Sequence, residues 1–103
     1  MLHDWSNDEN LVAYYLFRFP DSEIASRKQQ IADHLGVALG TLMYRVGSIK
    51  AASGYGNLHG YSKAATRIYT AYRGKSDAEV RDMTLSALDR LGYNWASELE
   101  AKA

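Results

Sequence analysis

The stretch Lys28–Lys50, KQQIADHLGVALGTLMYRVGSIK, constrains this chain more than any other. Two helical apolar patterns meet there at a single glycine. Ile31, Ala32 and Leu35 share one face before Gly36. Leu39, Leu42, Met43, Val46 and Ile49 share one face after it, at i, i+3, i+4, i+7 and i+10. Thr41, Tyr44, Arg45 and Ser48 recur at i, i+3, i+4 and i+7 on the opposite side. The spacing predicts two helices joined by a tight turn, the second with a buried stripe and an outward stripe of hydrogen-bonding groups. A helix lying in a DNA major groove needs such an outward stripe.

Ala32, Gly36, Val37 and Thr41-Leu42 resemble the helix-turn-helix pattern. By that resemblance Ala32 lets the two helices approach, Gly36 takes the positive-φ position, and Val37 plugs into the core. The pattern expects an apolar residue three positions after Leu42. Arg45 stands there, and Val46 is the apolar one.

A chain of 103 residues is read as one domain, 1–103, large enough to bury a core without staples. The motif occupies about 27–52. No cysteine is present, which excludes disulfides and thiolate metal sites. No apolar run reaches the roughly 18 residues of a membrane span. The segment MLHDWSNDEN is acidic and is not a signal peptide, so the expected location is cytoplasmic.

Formal net charge is zero, but the charges are segregated. Arg27 to Lys75 holds eight Lys or Arg against one acid, Asp33, a net of +7. Residues 1–26 carry −4 and residues 76–103 carry −3. A basic block between acidic flanks points to a polyanion on the middle of the chain; a solvated surface with clustered charges is the plainer alternative.

Ser6-x-x-Glu9 is a capping box that starts a helix at Asn7, with Trp5 as the residue packing just before the cap. Its Leu11, Val12, Tyr14, Tyr15, Leu16 and Phe19 read as core rather than as a base-stacking platform, and Pro20 ends it. The first motif helix is expected from about 24 or 27 to Leu35, with Ser26 as its N-cap in the second case. Arg27 and Lys28 in its first turn oppose the helix dipole, which suggests phosphate contact. The second motif helix spans about Ala38 to Ala52 and contains Gly47, read either as a close approach or as a tolerated glycine.

Residues 53–61, SGYGNLHGY, form a loop. Its Tyr55 either reaches a sugar-phosphate backbone or folds inward. Ser62 caps a helix from Lys63 to about Tyr72 that Gly74 closes. Ser76-x-x-Glu79 opens a last helix at Asp77 that Gly92 ends; about 77–91 is a candidate dimerisation element. Tyr93 and Trp95 close the core or line a dimer surface.

Trp5, the run Ile31 to Gly36, Arg45-Val46-Gly47-Ser48-Ile49 and Leu58-His59-Gly60-Tyr61-Ser62-Lys63 together resemble the N-terminal DNA-binding domain of some HNH-type endonucleases and related phage or restriction proteins. The resemblance covers about two thirds of the chain. Ser48 stands where that family typically has asparagine. There is no His-Asn-His constellation, so nuclease activity is not implied.

His3, His34 and His59 fit no metal pattern, and neither a phosphate-binding GxxxxGK[ST] loop nor a nucleophile elbow occurs. No enzyme activity, cofactor or small-molecule substrate is expected. The expected fold is an all-α bundle of about five helices. The expected function is sequence-specific binding of double-stranded DNA, as a small transcription regulator or a phage or mobile-element accessory factor, with a homodimer as an option. Thr41, Tyr44, Arg45 and Ser48 are the expected base contacts, Arg45 reading guanine. Arg27, Lys28, Lys50, Tyr55, Lys63 and Arg67 are the expected phosphate contacts. The alternative is a protein-binding adaptor or inhibitor whose basic block docks on an acidic partner.

Overall fold

The computed structural model describes residues 4–54 and 63–93. Five α-helices account for most of them: α1 (Asn7–Arg18), α2 (Lys28–Leu35), α3 (Leu39–Ala52), α4 (Lys63–Tyr72) and α5 (Asp77–Arg90). A single 3-10 turn, Ala25–Arg27, precedes α2. No strand occurs among the described residues, and no helix there is long and apolar enough to cross a membrane. The expected loop 53–61 and Tyr55, the Ser62 cap and Trp95 lie outside the described residues, apart from Ser53 and Gly54 at the end of α3.

The capping box at Ser6 forms as expected. Ser6 Oγ accepts from the Glu9 N–H at 3.1 Å, and Glu9 Oε1 accepts from the Ser6 N–H at 2.8 Å. The helix it starts is buried on every side in its middle: Leu11, Val12, Ala13, Tyr14, Tyr15 and Leu16 are all in the core. Contacts with α3, α4 and α5 explain this, since α1 is the post around which they pack. Its aromatic rings belong to the core, with Tyr14 against Phe17 and Tyr72.

Two clamps pin α5 antiparallel to α1. At one end Arg90 makes a two-pronged pair with Asp8, at 2.8 and 3.0 Å. At the other end Arg18 Nη2 meets Asp77 Oδ1 at 2.7 Å. Arg18 also donates to the carbonyls of Tyr72, at 3.2 Å, and Lys75, at 2.7 Å. These hydrogen bonds help close α4. Gly74, expected to end it in the left-handed region, does not take a positive φ. An arginine from another helix satisfies carbonyls at this end of α4.

The turn between α2 and α3 follows the sequence closely. Gly36 has φ 75°, and Val37 donates its N–H back to the Ala32 carbonyl at 3.0 Å. Gly92 repeats this after α5, with φ 86° and a Tyr93 N–H to Leu88 carbonyl bond of 2.8 Å. The start of α2 differs from expectation. Ser26 turns its hydroxyl back to the Glu23 carbonyl, and the N-cap position is Arg27, which provides no side-chain cap. The 3-10 turn buries Ala25, with Ile24 just before it, and this packing sets where α2 begins.

Candidate nucleic-acid interface

Residues Gly36 to Ala38 join α2 to α3, and both helices start without a side-chain cap. The N-cap of α3 is Ala38, in extended conformation with φ −67° and ψ 148°. Neither α2 nor α3 has an acid in its first turn. By contrast α1 and α5 each have a full capping box and two acids there. The N–H groups that open α3 therefore keep their partial positive charge beside exposed Gly40 and Thr41.

The face of α3 is not the straight stripe that the spacing predicts. Leu42, Val46 and Ile49 are buried as expected, with Leu39 half-buried. Met43, expected inward, is 37% exposed. Thr41 is exposed, and Tyr44 is 68% exposed. Ser48, expected to touch bases, is 5% exposed and donates its hydroxyl to the Tyr44 carbonyl at 3.0 Å. Ala51 beyond it is buried too. The physical reason is that α3 packs against α1, α2 and α4 at once, so its later turns are largely enclosed, with Lys50 left exposed, and its first turns present the more open face.

Arg45 is half-buried. Its guanidinium lies 4.9 Å from the centroid of the Trp5 ring. Burial lowers its pKa from the ordinary arginine value, which leaves the group charged. This is the position where the helix-turn-helix pattern expects an apolar side chain. The position is indeed partly covered, and an indole face accommodates the cation. Arg45 is thus turned toward Trp5. Sequence spacing had no means of pairing residues forty positions apart.

Among the expected phosphate contacts, Lys28, Lys50, Lys63 and Arg67 are exposed and in no ion pair among the described residues. Arg27 is half-buried and close enough to Tyr93 to influence it. Gly47 makes no close approach to another helix among the described residues: a Cβ there meets nothing within 4 Å. His34 ties the motif to the rest of the fold, its Nε2 at 2.6 Å from the Leu91 carbonyl and its ring edge-on to Tyr93.

Two concavities are open at the surface, the first of them bordered by α3. One is an apolar groove of about 390 Å³ lined by Leu16, Phe17, Pro20, Met43, Val46, Gly47 and Lys50. The other, about 370 Å³, lies between the start of α1 and α4, and Trp5 contributes to it. Comparisons with protein-family models, with curated proteins and with solved structures return no match for this chain, so its function is argued from these residues alone.

Proposed function

We propose that the protein binds double-stranded DNA through a helix-turn-helix formed by α2, the Gly36 turn and α3. The observation that carries this is the opening of α3: an uncapped, acid-free helix start bearing exposed Thr41 and Tyr44. Backbone N–H groups there suit a phosphate, and the two side chains suit base edges. Lys28 and Lys50 supply charge from α2 and from the far end of α3. On this reading Thr41 and Tyr44 carry the base contacts, Arg45 positions α3 through Trp5, and Ser48 is structural.

The experiment is selection of a randomised duplex pool at near-physiological salt, followed by titration of variants. Enrichment of one motif, weakened by Thr41→Ala and Tyr44→Ala, supports sequence-specific binding. Lys50→Gln then lowers affinity for all duplexes alike and makes the salt dependence shallower by about one counterion. Absence of any duplex binding overturns the reading. A regulator or a mobile-element accessory role would follow from the motif recovered, and a palindrome would indicate a dimer.

One observation favours a second reading. Met43 and Tyr44 are exposed large side chains, and Met43 borders the apolar groove that ends at Lys50. That surface suits a protein partner presenting apolar groups beside an acid. Loss of a co-purifying protein in Met43→Asp, with no duplex enriched, would favour this adaptor reading.

A further inference from the structure

The concavity between α1 and α4 is built from one face of each. Ala64, Arg67, Ile68, Ala71 and Tyr72 repeat at i, i+3, i+4, i+7 and i+8 along α4. Asn7 and Asn10, three residues apart, and Trp5 form the facing wall. Two alanines, Ala64 and Ala71, leave the space open where longer side chains would fill it. The volume of about 370 Å³ falls in the range of roughly 300–1,000 Å³ that small-molecule sites occupy.

Two of its polar side chains, Asn10 and Arg67, have no evident use among the described residues. Asn10 Oδ1 is buried and has no hydrogen-bond partner among the described residues, which leaves a desolvated acceptor unsatisfied. Arg67 is exposed and makes no ion pair among the described residues. Lys63 lies one turn before it, so two cations face each other at i, i+4 without an acid between them. An aromatic wall, carboxamides that both donate and accept, and a cationic rim match three parts of one ligand class. A nucleobase offers a flat face for the aromatic wall and an edge with adjacent donor and acceptor for a carboxamide. A phosphate suits the rim.

We infer that this cleft binds a nucleotide: a planar heteroaromatic base against Trp5 and Tyr72, its edge on the Asn10 carboxamide, and its phosphate on Arg67. The ligand is either a free mononucleotide or one unit of a single strand, since both present the same chemistry. The inference stands independently of duplex binding.

The test is a nitrogen–proton NMR titration of the full chain, following the Trp5 indole N–H and the Asn10 side-chain amide. The probes are the four 5′-mononucleotides, the matching nucleosides, inorganic phosphate and a thymidine or adenosine hexanucleotide. The expected result is a saturable shift of both signals by at least one mononucleotide or by a hexanucleotide, at about millimolar concentration or below. Saturation by a mononucleotide assigns a free ligand; saturation by the hexanucleotide alone assigns a strand. Removing the phosphate, or Arg67→Gln, weakens binding by about tenfold, as expected for a lost charge-assisted hydrogen bond. Ala71→Leu, an exposed position on the cleft wall, blocks binding while the remaining spectrum reports an intact fold. No saturable shift with any nucleotide probe overturns the inference. So does an equal shift with phosphate alone, or binding unchanged in both Arg67→Gln and Ala71→Leu.

Discussion

The guanidinium of Arg45 and the indole of Trp5 hold α3 against the segment that leads into α1, at 4.9 Å from ring centroid to cation. Arg45→Ala removes this contact from a half-buried site. It should cost about 1 kcal/mol, the size of a partly desolvated cation–π pair. In a domain of this length that lowers the thermal midpoint by roughly 4–8 °C. Arg45→Lys keeps the charge but loses the flat stacking, and should recover only part of the loss. Thermal unfolding followed by circular dichroism measures both.

Gly47→Ala should make the protein more stable. The glycine sits inside α3, and the added Cβ meets nothing within 4 Å. The gain expected from helix propensity is about 1 kcal/mol. Denaturant titration checks it. A loss of stability would mean that this turn of α3 is not regular helix.

Ala38→Ser and Ala38→Asp separate stability from binding. Ala38 is in extended backbone at the N-cap of α3 and contributes no side-chain bond. Either substitution supplies the missing acceptor and should stabilise by about 1 kcal/mol. Ala38→Asp also places a negative charge where the proposed phosphate sits. It should therefore weaken duplex binding while Ala38→Ser does so far less. Equal binding by the two variants would place the phosphate elsewhere.

Acid sensitivity should trace in part to Asp8. Its hydrogen bonds from Arg90 hold the carboxyl below its ordinary value, against a smaller opposing effect of burial. The folded protein thus binds this proton less readily than the unfolded chain does. The resulting stability is fully present above the unfolded value of about 3.9 and falls away as pH drops through the lower folded value. The difference in thermal midpoint between wild type and Asp8→Asn should be constant above about pH 5 and shrink below pH 4. A difference that does not change with pH would show that the Asp8–Arg90 pair is not formed in solution.

Arg18→Ala should be among the more damaging single changes outside the apolar core. Its guanidinium serves the Tyr72 and Lys75 carbonyls and the Asp77 carboxylate together. Its side chain is only 20% exposed, so the abandoned carbonyls are poorly placed to find water. The expected loss is about 2 kcal/mol, measured by denaturant unfolding.

Local signals were read well. Both capping boxes and the positive-φ turn at Gly36 are short-range effects, decided by residues within one helical turn of each other. Periodicity alone went wrong along α3. It assumes one buried face of constant direction, and a helix packed on three neighbours has a buried face that widens along its length. Ser48 is enclosed for that reason, while Met43 borders the open groove. The misfit of Arg45 to the motif was visible, but its resolution lay at Trp5, and nothing in a linear pattern joins the two. Gly74 failed likewise: Arg18, more than fifty residues away, serves the carbonyls that a left-handed glycine was expected to accompany.

The two clamps between α1 and α5 join residues 59 and 82 positions apart. Pairing those helices closes a very large loop and bears a correspondingly high chain entropy. The contacts of α2 with α3, and of α3 with α4, are between neighbours in the chain. Folding therefore has a natural order, with the short-range pairs nucleating and the docking of α5 on α1 completing the structure. Opening runs in reverse: release of α5 unlatches the bundle while the α2–α3 turn keeps its own hydrogen bonds.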